Sequence, residues 1–125
     1  MTFTIPGRLD GLNEAFGAAR SGKHIEAKMR NRSEELIMWC IRRDLRKWKP
    51  KPPVFLHYRF FEKDRRRDKD NVSGYACKLV QDSLVKAGVL AGDGWNYIEG
   101  FDFTFAVDKK NPRIEVDIEE CNDET

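Results

Sequence analysis

No apolar run in this sequence approaches the roughly 20 residues that a membrane-spanning helix needs. Its opening, "MTFTIPGRLDGLNE", lacks the charged and then apolar pattern of a secretory signal. Cysteine is sparse. Cys40, Cys77 and Cys121 are odd in number and far apart, which excludes a fully paired disulfide framework and fits no zinc-ligand spacing. Free thiols in a reducing cytoplasm are expected. Also absent are the phosphate-cradling G-x-x-x-x-G-K-S/T, the zinc-binding H-E-x-x-H, and any nucleophilic serine or cysteine context. The expectation is a cytoplasmic protein that neither spans a membrane nor uses a nucleotide cofactor.

Charge, by contrast, is plentiful. At 125 residues, 40% hydrophobic and 35% charged, the chain has the size of one domain with a single core and extra surface charge. A net charge of +2 conceals a strong polarity. Residues 1–63 hold 14 Lys/Arg against 7 Asp/Glu, a net of +7, whereas residues 73–125 hold 5 against 11, a net of −6. A basic half suits a polyanionic partner, because lysine and arginine along a phosphate backbone gain affinity by releasing counterions.

The periodicities predict an α+β fold. "FTI" reads as an opening strand, and the glycine-rich, basic stretch 7–30 as a loop. From Asn31, with acids in the first turn, Ile37, Ile41, Leu45 and Trp48 mark one face of a helix that the prolines at 50, 52 and 53 end. "VFLHYRFFE" (54–62) is rich in β-branched and aromatic residues and reads as a central strand. Val72, Ala76, Leu79, Val80 and Leu84 follow a helical period that stops at Gly88. Phe101, Phe103, Phe105 and Val107 alternate with smaller or polar residues, and "RIEVDIEE" alternates throughout. The predicted order is β-α-β-α-β-β: a single domain over 1–120 with two helices packed on a mixed sheet, then a polar tail over 121–125.

Chemistry concentrates in "DRRRDKDN" (64–71), between the central strand and the second predicted helix. Asp68 and Asp70 are two positions apart, so in extended chain they point to one side. Carboxylates that close repel one another unless a cation or proton intervenes. Mg²⁺ is the natural relief, since it takes one or two protein carboxylates and completes its shell with water and phosphate oxygens. Arg65, Arg66, Arg67 and Lys69 would then hold flanking phosphates. A third acid, Asp93, sits between Gly92 and Gly94, where glycine permits close approach of a ligand. The plainer alternative stays open. Asp70 would be a helix cap or first-turn residue, and the remaining charges exposed pairs of little energetic weight.

"DRRRDKDN", a helix ending "QDSLVKAGVL" and then "GDGWNYIEG", with "IPGRLDGLNE" before and "DKKNPRIEVDI" after, resembles the RusA-type Holliday junction resolvases, especially phage and prophage members. The resemblance covers nearly the whole chain. It implies a homodimer in a bacterial cell that binds four-way DNA junctions and nicks opposing strands by Mg²⁺-dependent hydrolysis, with Mn²⁺ substituting, in recombination and repair. Its catalytic and metal-binding acids map onto Asp68, Asp70 and Asp93. The family lysine, one turn past the second aspartate, meets Gly74 here, and Lys78 is the nearest substitute. Gly92 stands where many members have a further aspartate. Two other functions remain: a broader flap- or branch-cutting nuclease, and a non-catalytic junction-binding protein.

Elsewhere, Lys23, Lys28, Arg30 and Arg32 in the predicted loop are candidate clamps for a DNA arm. Arg42, Arg43, Arg46, Lys47 and Lys49 offer a solvated basic face or a backbone contact. Asn71 is a candidate to orient a metal-bound water or to cap a helix. His24 and His57 show no obvious partner for a catalytic pair. Trp39, Trp48 and Trp95 read as core or dimer-contact residues.

Overall fold

Each alternating stretch becomes a strand, with Ile114, Val116 and Ile118 turned inward but Phe101 and Val107 left exposed. The computed structural model describes residues 1–9 and 11–121, so the predicted tail beyond Cys121 lies outside the described residues. The elements are β1 (Thr2–Pro6), α1 (Leu12–Ser21), α2 (Lys23–Leu45), β2 (Val54–Glu62), α3 (Lys69–Lys86), β3 (Ile98–Val107) and β4 (Arg113–Glu120). They build one α+β domain with a four-stranded sheet in the order β1-β4-β2-β3. The sheet is mixed: β2 and β3 are parallel, and β4 pairs antiparallel with both β1 and β2. With β2 and β3 joined through α3, this half of the molecule is a β-α-β unit. The predicted central position of 54–62 is observed.

One face of the sheet carries the core. Phe3 and Ile5 of β1, Leu56, Tyr58 and Phe60 of β2, and Ile114, Val116 and Ile118 of β4 are buried there. Above them lie Ile37, Cys40, Ile41 and Leu45 of α2 and Ala76, Leu79, Val80 and Leu84 of α3. Their removal from water is the main favourable term in forming this fold. Cys40 and Cys77 are buried, unpaired thiols whose pKa burial raises, so they stay protonated. Among the described residues, no helix is long and apolar enough to cross a membrane.

Two sequence expectations need correction. Among the described residues there are three helices, not two, and the stretch 7–30 is mostly helix. α1 occupies 12–21, and α2 begins at Lys23 directly after Gly22, well before Asn31. Leu12, Ala15, Phe16 and Ala19 do follow a helical period, but the glycines at 7, 11, 17 and 22 break the stretch into short pieces and hide it. Its helix rests on alanine, glutamate, lysine and arginine, which are good helix formers, and on the i,i+4 pair Glu26–Arg30 at 2.9 Å. α2 also ends earlier than the prolines suggest, at Leu45, because Arg46 adopts φ +57°. Trp48 therefore lies beyond the helix, half-buried against the core.

The opposite face of the sheet carries paired charges among the described residues. Arg59 and Arg113 both reach Glu115, and Arg113 also meets Asp108 at 2.9 Å. His57, expected to lack partners, stands between two acids, with Nδ1 2.9 Å from Asp102 and Nε2 3.2 Å from Glu119. Burial alone would lower its pKa. The hydrogen bonds to Asp102 and Glu119 override that and raise it above the ordinary 6.5. The imidazolium is thus favoured in the folded state, and its stabilisation is complete below about pH 6.5 and lost as pH rises through the raised pKa. His57→Gln should therefore be less stable than wild type in denaturant titrations at pH 6, with the gap narrowing by pH 9. A gap independent of pH would show that the imidazolium contributes nothing.

Candidate metal and phosphate site

The parallel pair β2 and β3 ends where α3 begins, and the charged run makes that junction. A groove of roughly 800 Å³ opens there, lined by Glu62, Asp64, Arg65, Arg67, Asp68, Lys69, Asp70, Val72 and Phe105–Val107. Asp68 is the N-cap of α3, with extended backbone (φ −66°, ψ 149°) and no capping hydrogen bond from its side chain. Asp70 lies in the first turn, and its Oδ1 accepts the N–H of Asn71 at 2.9 Å. Both carboxylates are exposed. Among the described residues neither makes an ion pair, whereas the neighbouring acids Glu62 and Asp64 do. The expected extended spacing, which would point both acids to one side, does not hold, because the helix begins at Lys69 between them.

The three arginines that look alike in the sequence divide here. Arg65 and Arg66 are exposed, and Arg66 pairs loosely with Asp64 at 3.7 Å with its side chain 87% exposed. Arg67 is only 11% exposed. Its guanidinium donates to both oxygens of Glu62 at 2.9 and 3.0 Å and to the carbonyl of Leu9 at 2.8 Å. Each of its three nitrogens donates to protein, so Arg67 braces the groove wall that it also lines. Lys69 lays its ammonium 5.5 Å from the Phe105 ring and keeps it at the groove.

Asn71 is buried and fastens α1 to α3. Its Oδ1 accepts the N–H of Asn13 at 2.8 Å, satisfying a donor that the start of α1 would otherwise leave open. Its amide lies so close to Gly11 that a Cβ there would sit 2.7 Å away. Of its two predicted roles, capping is the observed one, on α1 rather than on its own helix.

Asp93 stands apart from the other two acids. It is in the loop before β3, in a smaller groove with Gln81, Gly94, Trp95 and Phe101. α3 is about 27 Å long, and Asp93 follows its far end. Within one chain the structure does not bring Asp93 to Asp68 and Asp70. Among the described residues no cluster of three His, Cys, Asp or Glu is placed to hold a metal ion. Gly92 is explained by packing, since a Cβ there would meet the Tyr97 ring at 2.9 Å. Lys78 is about 12 Å along α3 from Asp70 and pairs with Asp82 at 3.6 Å.

The basic candidates on α2 lie on helix, not loop. Glu26 lies 3.5 Å from the Tyr75 hydroxyl and Glu34 3.0 Å from Lys86, so α2 and α3 run in the same direction. The N-terminal turns of α2, with exposed Lys23, Lys28 and Arg32, are thus at the same end of the molecule as the charged run. Arg30 is held by Glu26. Arg42, Arg46, Lys47 and Lys49 border a groove at the opposite end, and Arg43 is tied to Asp44 and the carbonyl of Thr4. Trp39 and Trp95 are exposed rather than core. No family model matches this chain, and no match is found among curated proteins.

Proposed function

We propose that this protein is a Mg²⁺-dependent, structure-selective DNA endonuclease of the RusA type that resolves four-way junctions by paired nicking. The observation that carries the proposal is the groove at the head of α3. Two exposed carboxylates without cationic partners among the described residues, Asp68 and Asp70, stand there beside exposed Arg65 and Lys69, with exposed Arg66 next in the chain. Hard, charged oxygen donors suit Mg²⁺, which needs few protein ligands when phosphate supplies others. The resemblance to junction resolvases supplies the substrate. When bound, the cation supplies positive charge to a phosphodiester under hydrolysis.

The chain's own residues do the rest. Asp68 and Asp70 hold the cation, and Asp93 is the third family acid. Arg65, Arg66 and Lys69 hold the phosphates on either side, with Lys23, Lys28 and Arg32 tracking a duplex arm. Asp68 makes no capping bond, which leaves its carboxylate available to a ligand, while Asp70 Oδ1 accepts the Asn71 N–H and keeps its other oxygen for the cation.

The test is nicking of synthetic substrates with Mg²⁺, with EDTA as control. A four-way junction should be cut in opposing strands, with little cutting of flap or linear duplex. Equal cutting of flaps would select the broader branch nuclease. Tight junction binding without any nicking would leave a binding protein.

A further inference from the structure

α2 and α3 finish at the same end of the molecule, away from the charged run, and the chain that leaves them forms a trough there. Its first part, roughly 730 Å³, is bordered by Arg42, Arg46, Lys47, Trp48 and Lys49. A second part, roughly 430 Å³, shares Lys49, Gly88 and Val89 with the first and is otherwise apolar, with Pro50, Val85, Leu90 and Tyr97. Among the described residues, no carboxylate lines either part.

Arg42, Arg46, Lys47 and Lys49 are all exposed, and among the described residues none of their side chains makes an ion pair or hydrogen bond. Cations do offset the partial negative charge at the C-terminus of a helix. That accounts for Arg42, in the last turn of α2, but Lys47 and Lys49 lie beyond the helix. Arg46 adds a second observation. Its backbone holds φ +57° and ψ −119°, a conformation that glycine adopts freely and a side chain opposes. Strain of this kind clusters at ligand sites, and no hydrogen bond or ion pair of the Arg46 side chain offsets it among the described residues.

We propose that this trough is a docking site for a short acidic peptide of a partner protein, one that ends in apolar side chains. Arginine clusters recur as receptors for acidic motifs. The peptide's carboxylates meet Arg42, Arg46, Lys47 and Lys49, and its apolar end fills the part next to Val85, Leu90 and Tyr97. A nucleic acid matches these features less well. A duplex backbone offers nothing apolar to the second part, and single strands bind by stacking bases on aromatic faces. Trp48 and Tyr97 are instead packed half-buried against the core. The site is independent of the metal reading, because it lies at the other end of α3.

The test is fluorescence anisotropy in EDTA with a labelled peptide of aspartates and glutamates that ends in leucine and phenylalanine. Wild type should bind it saturably, and changing the two apolar residues to glycine should weaken binding about tenfold. Arg42→Glu with Lys47→Glu should weaken it by about tenfold or more. Lys109→Glu with Lys110→Glu, the same change of charge on the turn between β3 and β4, should not. Arg46→Gly is the sharpest variant. It should melt no lower than wild type, because the strain is relieved, and still bind the peptide less tightly. No saturable binding by wild type, or equal binding by the Arg42 and Lys47 double variant, would overturn the proposal. A labelled strand of thymidines that binds where the peptide does not, and is lost in that double variant, would also overturn it and make the trough a nucleic-acid site.

Discussion

Replacing Arg67 by alanine should cost about 3 kcal/mol of stability, because it strands Glu62 as an unpaired charge in a buried setting. For a domain of this size that corresponds to a fall of roughly 10 °C in Tm. Arg67 joins the end of β2, through Glu62, to the chain just before α1, through the Leu9 carbonyl. Its loss should loosen the groove wall as well as the fold. The diagnostic variant is the double change Glu62→Leu with Arg67→Met. Swapping a buried pair for apolar side chains of similar size is often neutral, so most of the lost stability should return. Junction affinity in gel shifts should also be near wild type in the double variant, while Arg65→Ala with Arg66→Ala should weaken it with little thermal effect. A single Arg67→Ala variant that melts within about 2 °C of wild type would sink the structural role.

The strands were legible because their signal is local. Leu56, Tyr58 and Phe60, or Ile114, Val116 and Ile118, alternate with polar neighbours, and any sheet that buries one face produces that pattern. The start of α2 was not legible. Lys23 to Arg32 bury little, so no apolar stripe distinguishes this helix from a solvated loop, and the glycines at 7, 11, 17 and 22 point the other way. Its helical state depends on backbone propensity and on side-chain pairs, which a search for buried faces does not register.

At the site, the chain shows that Asp68 and Asp70 are neighbours, but not that α3 begins at Lys69 and so removes the extended geometry that would point them to one side. It cannot display which arginine turns inward. Arg65, Arg66 and Arg67 are chemically identical, and the difference arises from Glu62, which the pleat of β2 points to the core side. The same holds for Asn71, whose partner Asn13 is 58 residues away, and for His57, whose acids come from β3 and β4. Asp93 is the reverse case. The motif groups it with the other acids, but α3 places about 27 Å of helix between them.

Asp70→Asn should abolish nicking, by at least about 100-fold, and leave junction binding in EDTA intact or tighter. The loss follows from the chemistry of a hard cation, which binds an amide oxygen far less well than a carboxylate. The gain follows from Coulomb's law, since a negative charge facing the DNA backbone is removed. Stability should hardly change. Asp70 is exposed in the first turn of α3, where losing its charge costs below about 1 kcal/mol through the helix dipole. Asp68→Asn and Asp93→Asn should behave alike, although they stand at opposite ends of one helix. That equivalence is the informative part, because a distant aspartate with no share in the metal would be silent. If Asp70 served only the helix, asparagine would replace it with little effect and nicking would persist. Nicking assays with Mg²⁺, run beside gel shifts in EDTA for the three single variants, separate these cases. Full activity in Asp70→Asn would remove the metal from this site and leave the groove a binding surface for DNA.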